Sequence, residues 1–267
     1  MDASAHFKGK EITLMRIGLL GRGVKDAAYL AECGAEVLVV DDASQEVMQP
    51  SVDALKGYEN IGFKFGPYDL NDFKNCDLVL KGAGAALDSP EIAEAHKHNI
   101  PVRMSADLFA EISGAVCVGV TGTRGKSTVV HMLHAILQEA GKKVLLGGNV
   151  RGVSTLALLA EATPEYIAVL ELDSWQLQGF GDACISVFTT LYQDHLNYYK
   201  DTPEAYLADK ANIFLYQKEE DTLILGKQCA PTVIEKYGER IDSKMFVIDE
   251  LKLPDTWTLR ILGLHTR

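Results

Sequence analysis

The stretch "GVTGTRGKSTVVHML", residues 119–133, decides how the rest of the chain is read. The apolar run "AVCVGV" (115–120) leads into it, and Val129, Val130, Leu133, Ile136 and Leu137 follow at helical spacing. A continuously apolar strand suits a parallel sheet buried on both faces. Strand, glycine loop and helix in that order form a phosphate-binding loop. Gly122 and Gly125 let backbone N–H groups turn inward onto phosphate oxygens. Lys126 can reach the β- and γ-phosphates, and the Ser127 hydroxyl suits Mg²⁺. The helix expected over 126–139 points its positive end at the same place. The common pattern G-x-x-x-x-G-K-[ST] asks for glycine where this sequence has Val120. A plain glycine turn would not account for a Lys-Ser-Thr run opening the helix.

Upstream, strand and helix alternate. "RIGLLGRG" (16–23) reads as a buried strand running into a glycine turn, and "VKDAAYLAECG" (24–34) as a helix with a glycine stop. "AEVLVVDD" (35–42), "FKFGPY" (63–68), "CDLVLKGAG" (76–84) and "IPVRMS" (100–105) read as strands, with a helix at "SPEIAEAHKHN" (89–99). Downstream, "KKVLLGGN" (142–149), "YIAVLELDS" (166–174), "ACISVFTTL" (183–191) and "DTLILG" (221–226) supply strands. "TPEAYLADKANIFLYQ" (202–217) is a helix capped by Thr202 with Pro203 in its first turn. After about residue 240 the pattern turns short and β-like, in "KMFVIDE" and "WTLRIL". The expected class is α/β: a flexible N-terminus over 1–13, a Rossmann-like domain over 14–112, and a P-loop domain with a mainly parallel sheet over 113–267.

Gly21, Gly23 and Asp41 make up most of a dinucleotide fingerprint. Its third glycine is replaced by Asp26, and an acid at a helix start disfavours a pyrophosphate there. NAD is therefore not expected, while a nucleotide-like ligand elsewhere along these strand ends stays open. Net charge is −11, which leaves no broad basic surface for nucleic acid. No run approaches the ~18 apolar residues of a membrane span, and no signal peptide opens the chain. Five cysteines, an odd number with no C-x-x-C, read as reduced thiols. A cytoplasmic protein without membrane or nucleic-acid partners is expected.

P-loop proteins run many reactions, so the polar residues at the other strand ends must narrow the choice. Glu171 ends "YIAVL", Asp194 and His195 follow "ISVFTTLYQ", and Lys210 sits inside a helix. Singly, each has an ordinary explanation: a helix cap, a loop histidine, a solvated charge. Together, at the carboxyl ends of strands that share a crevice with Lys126, they favour a Mg-ATP site.

These residues also carry a resemblance. "TGTRGKST" with "GGN" (147–149), "ELDSWQL" (171–177), "DHLNYY" (194–199) and "YLADKANIF" (206–214) resembles the Mur ligases of peptidoglycan synthesis, over about residues 15–267. In that family the loop reads T-G-T-x-G-K-[ST] and an apolar residue at the Val120 position is common. The E-L-x-S-[FW]-Q-L stretch, the K-S-T run and the G-x-G first domain are most similar to the D-glutamate-adding branch.

The resemblance implies ATP and Mg²⁺ bound by Gly122, Thr123, Arg124, Gly125, Lys126, Ser127 and Thr128, with Asn149 beside ATP or the muramoyl substrate. It implies Lys126, Glu171, His195 and Lys210 as catalytic, and Ser127, Glu171, His195 and a carbamylated Lys210 as metal-holding. Gly21, Gly23, Asp41 and Gly84 would lie along the pocket for UDP, with Ser174, Asn149 and His195 toward the rest of the substrate. The implied substrates are UDP-N-acetylmuramoyl-L-alanine and D-glutamate, joined by a monomer through an acyl phosphate. Alternatives are another amino-acid ligase of the superfamily, such as a folylpolyglutamate synthetase, or an ATP-binding module without ligase activity.

The sequence departs from the family pattern at several places. Asp173 replaces a serine, and Asp209 precedes Lys210 where it could ion-pair with it and oppose carbamylation. Gly82 and Ala83 replace a Ser-Pro pair near the uracil. "GLHTR" (263–267) resembles the start of a segment leading to a third domain, so that domain is expected to be absent and ligation by the chain alone inefficient.

Overall fold

The computed structural model describes residues 3–19, 21–181, 183–194, 197–200 and 202–248. Two parallel sheets account for its strands. The first contains β1 (Glu11–Met15), β2 (Glu36–Asp41), β3 (Ile61–Phe65), β4 (Leu78–Lys81) and β5 (Val102–Arg103), in the order β3-β2-β1-β4-β5. That order reverses between β1 and β4, the place where a doubly wound sheet opens its ligand crevice. Helices α1 (Arg22–Glu32), α2 (Gln45–Leu55), α3 (Pro90–Lys97) and α4 (Ser105–Ile112) complete this unit. Alternation along β1 explains the layering. Ile12 and Leu14 join one core with Ala27 and Leu30 of α1, while Met15 joins another with Ile92 and Ala95 of α3.

β1 lies earlier than the apolar run at 16–23 suggested. "EITLM" forms the strand, and the residues after it form the turn. Arg16 and Gly18 both sit at left-handed φ, 63° and 69°. Such angles end a strand, and two so close together leave no strand for the run after Met15. The N-terminus is also more built than its polar composition implied: Ala3–His6 form a 3-10 turn, and Phe7 is buried in the core. Ser44 caps α2 by accepting from the Val47 amide, and the helix carries Pro50 inside it, which hides it from pattern reading.

The second sheet contains β6 (Val116–Thr121), β7 (Lys143–Gly148), β8 (Tyr166–Glu171), β9 (Ile185–Phe188), β10 (Thr222–Gly226) and β11 (Lys244–Ile248), in the order β11-β10-β9-β6-β8-β7. Its helices are α5 (Lys126–Glu139), α6 (Pro203–Leu215) and α7 (Ala230–Tyr237). Val118 and Val120 of β6 pack with Val130 of α5. Gly119 faces the other way, where a Cβ would lie 3.1 Å from Ile213 of α6. An apolar residue at 120 is thus a core contact of the strand, upstream of the loop that turns. β11 pairs with β10 through "KMFVI", and "WTLRIL" lies outside the described residues. No helix among the described residues is long and apolar enough to cross a membrane. The five cysteines are free, with Cys33, Cys117 and Cys229 buried and Cys184 exposed.

Candidate functional site

β6 is flanked by β8 and β9, so three strand ends meet at the loop that follows it. Gly122 has φ 140° and Gly125 caps α5 at φ 87°, conformations that favour glycine. The segment after β9 holds this loop from outside. The Thr123 amide donates to the Thr190 carbonyl at 2.7 Å, and the Arg124 amide to Thr190 Oγ1 at 2.9 Å. Thr189 Oγ1 donates to the Arg124 carbonyl at 2.6 Å, and the Tyr192 amide to Thr123 Oγ1 at 2.9 Å. Arg124 stacks over the Tyr192 ring, 5.7 Å from its centre. Ser127 and Thr128 open α5 on its exposed side.

Two lysines converge inside the loop. Lys126 Nζ donates to the Gly122 carbonyl at 3.0 Å, and Lys210 Nζ donates to the same oxygen at 3.2 Å. Lys210 also donates to Thr121 Oγ1 at 3.2 Å and lies over the Tyr206 ring. It is 1% exposed, which rules out a solvated helical charge. Burial, and then the charge of Lys126, push its amine down to about 7. Two cations sharing one neutral carbonyl leave most of their charge unanswered, as suits a polyanion.

Glu171 ends β8, where the register pairs it with Val120 on one side and Gly148 on the other. It is buried, yet its carboxylate makes no hydrogen bond or ion pair with the described residues. Its carbonyl accepts from the Asn149 amide at 2.6 Å, which draws the 148–149 turn against β8. His195 lies outside the described residues. Among those residues, no three His, Cys, Asp or Glu side chains group as a metal site.

Asp173 and Asp209 are both committed. Asp173 Oδ1 accepts from the Gln176 amide at 2.8 Å and so caps the turn that buries Ser174, the work a serine would do there. Asp209 Oδ2 accepts from Gln178 Nε2 at 2.7 Å and from Tyr199 OH at 2.9 Å. It forms no ion pair with Lys210 among the described residues.

A cavity of about 280 Å³ lies between the two units. Arg16, Gly18, Gly21, Arg22, Gly23, Lys81, Ser105, Thr155 and Gln176 are among its lining residues, and Asp41 and Gly84 are not. Arg16 donates to the Gly84 carbonyl at 3.0 Å and pairs with Asp42 at 2.9 Å, while Asp41 Oδ1 accepts from the Ala43 amide at 3.1 Å. A Cβ on Gly23 would overlap the Ile17 carbonyl, so Gly23 provides the close helix-to-strand packing of a third fingerprint glycine. Asp26 is fully buried and accepts from Ser105 of α4 and from Ser154 of the second unit. Burial raises its carboxyl above the usual range. Arg22 and Lys25 reach the Gly148 and Gly152 carbonyls, so the first turns of α1 clamp the loop that carries Asn149.

This geometry has relatives. Residues 120–251 match the family described as the Mur ligase middle domain. A UDP-N-acetylmuramoylalanine–D-glutamate ligase of Borreliella burgdorferi is 34% identical over 244 residues, which cover 90% of this chain and 52% of the relative. One from Treponema pallidum is 32% identical over 241 residues, 84% of this chain and 44% of the relative. The chain belongs to the Mur ligase family.

The chain spans about half the length of the curated relatives it matches. Among solved structures, the UDP-N-acetylmuramate:L-alanyl-γ-D-glutamyl-meso-diaminopimelate ligase of Neisseria meningitides superposes with a TM-score of 0.58 at 16% identity, over 90% of this chain and 78% of that one. The UDP-N-acetylmuramate–alanine ligase of Thermotoga maritima gives 0.50 at 18% identity, over 90% and 53%. These likenesses establish the Mur ligase fold across both sheets.

The sequence pointed to Lys126, Glu171 and Lys210, of which the structure brings the two lysines onto one carbonyl, and it did not point to others nearby. Thr189 and Thr190 were visible only as the end of a strand. Arg16 and Lys81 had no motif around them. Asp26 was noticed for its charge, while its buried serine contacts depend on tertiary structure.

Proposed function

We propose that the protein takes part in ATP-dependent amide-bond formation in peptidoglycan precursor synthesis, joining D-glutamate to UDP-N-acetylmuramoyl-L-alanine. The observation that carries this reading is the pair Lys126 and Lys210 on one carbonyl, in the loop after β6, whose neighbour β8 ends in the buried Glu171. The names of the relatives supply the choice of D-glutamate.

The chemistry follows from charge. The alanyl carboxylate attacks the γ-phosphorus of ATP, the bond to the ADP oxygen breaks, and an acyl phosphate forms. The amine of D-glutamate then attacks the acyl carbon, loses its proton to solvent, and inorganic phosphate leaves. Lys126 neutralises charge on the transferring phosphoryl group, and the loop amides orient it. The Glu171 carboxylate and Ser127 hydroxyl are hard oxygen donors that fit Mg²⁺ and would hold it against the phosphates. Bound there, the ion would screen the charge between nucleophile and phosphate. Lys210, the second amine on the Gly122 carbonyl, adds a further positive charge facing the phosphates.

Calorimetric titration tests the reading. Binding of both ATP and UDP-N-acetylmuramoyl-L-alanine is expected. Binding of ATP without the UDP substrate would replace it with a nucleotide-binding module.

A further inference from the structure

We propose that Lys81 is a substrate-contact residue whose ammonium takes the diphosphate of a nucleoside diphosphate ligand in the cavity between the two units. This rests on the reading of that cavity as the UDP-substrate site. Lys81 is the last residue of β4, which pairs with β1 at the point where the strand order reverses. It lines the cavity and is only 3% exposed. Among the described residues it has no carboxylate within ion-pair distance, and its hydrogen bond is to the Ala85 carbonyl at 3.2 Å.

A buried cation answered by one neutral carbonyl is costly for a fold to keep. Burial pushes its amine down to about 8, with Asp173, Asp209 and Asp107 opposing from farther off. The other cations of the cavity differ: Arg16 is paired with Asp42, and Arg22 is only half-buried, with the Gly148 carbonyl as its partner and the charge of Asp26 nearby. Asp26, the carboxylate among the lining residues, is taken up by two serine hydroxyls. The cavity wall is therefore cationic in a chain of net charge −11, and Lys81 is its uncommitted charge. A Cβ at Gly82 would overlap the Arg16 carbonyl, so the strand end offers the cavity the side chain of residue 81 and none at 82.

The test uses UDP as the probe, with Lys81→Met in the full chain. Methionine matches the apolar stem and removes the charge. Wild type binds UDP, and Lys81→Met is expected to bind it about tenfold to a hundredfold more weakly, the loss of one charge-assisted contact. ATP affinity stays unchanged. Without ligand, the variant melts at the same or a higher temperature, because a charge kept for a ligand does not serve the empty fold. UDP affinity within twofold of wild type overturns the proposal. So does a variant that fails to fold or loses ATP and UDP binding alike, since Lys81 is then structural. Wild type that binds no UDP removes the substrate reading of the cavity itself, and Lys81's role with it.

Discussion

Gly122→Ala should disable the nucleotide loop, while the neighbouring Gly125→Ala should not. Residue 122 has φ 140°, a region almost confined to glycine, and forcing alanine there costs about 1–3 kcal/mol. The added Cβ would overlap Thr189 Oγ1 and lie 2.9 Å from the Thr190 nitrogen and 3.0 Å from its oxygen. Two of those three atoms are backbone, so the 189–190 segment must move. Displacing it breaks the bonds from the Thr123 and Arg124 amides and from Thr189 Oγ1. Two or three such bonds add about 1–4 kcal/mol. The sum is about 2–7 kcal/mol, or roughly 4–13 °C of melting temperature for a chain of this size.

Gly125 differs in a checkable way. Its φ is 87°, and the nearest atoms to its Cβ, on Thr189, lie at 3.8 Å, an ordinary contact. Only the backbone cost of about 1–2 kcal/mol remains. Thermal unfolding with and without Mg-ATP measures both effects. Gly122→Ala should melt lower and lose the ATP-induced rise, and Gly125→Ala should melt slightly lower and keep part of it. Equal melting temperatures, or a full ATP response in Gly122→Ala, would refute the account of how β9 holds the loop.

Three further outcomes follow from buried groups and close packing. Lys210→Met should stabilise the unliganded protein below pH 7. An amine lowered from 10.5 to about 7 carries its folding cost in full below that value and loses it as pH rises to 10.5. Urea melts should therefore show wild type gaining on the variant by up to ~1.4 kcal/mol per pH unit above 7, and a pH-independent gap contradicts this. Asp26→Ala removes the acceptor for Ser105 and Ser154 and should cost about 1–3 kcal/mol, with Asp26→Asn milder; wild-type stability in the alanine variant would show that the serines need no partner. Gly23→Ala overpacks α1 against the Ile17 carbonyl for about 1–3 kcal/mol and should weaken UDP binding while ATP binding survives. Undiminished UDP affinity would separate the α1 turn from the ligand.

What could be read in advance was local. The loop at 121–128 announces itself because its strand, glycines, lysine and helix lie within a few residues of one another. β1 was misplaced because "EITLM" is short and half polar, while the longer run beyond it contains the apolar residues of the turn. No local pattern marks Arg16 and Gly18 as left-handed. α2 hid behind Pro50. The bonds from Thr189 and Thr190 to the loop span more than 60 residues of sequence, and the Ser154 contact of Asp26 spans 128. Charge alone suggested that Asp173 and Asp209 would disturb the site. Hydrogen bonding spends both carboxylates locally, which no composition argument detects.

The cations of this protein are where its acidity would least predict them. Lys126 and Lys210 share the Gly122 carbonyl, and Lys81 ends the central crevice of the first sheet. Two of the three are buried, and burial lowers both of those amines. An empty site of this kind stores unfavourable electrostatic energy in the fold, and an arriving phosphate releases it by restoring each ammonium's partner. Binding should then be coupled to proton uptake: a ligand that raises a depressed amine toward its ordinary value draws protons from solvent. Near pH 8, where Lys81 is half neutral and Lys210 mostly so, titration in buffers of different ionisation enthalpy should show protons taken up with ATP and with UDP. At pH 6 both amines are already charged and uptake should vanish. Equal heats across buffers at pH 8 would mean that the lysines do not meet the phosphates, whatever the shape of the loop.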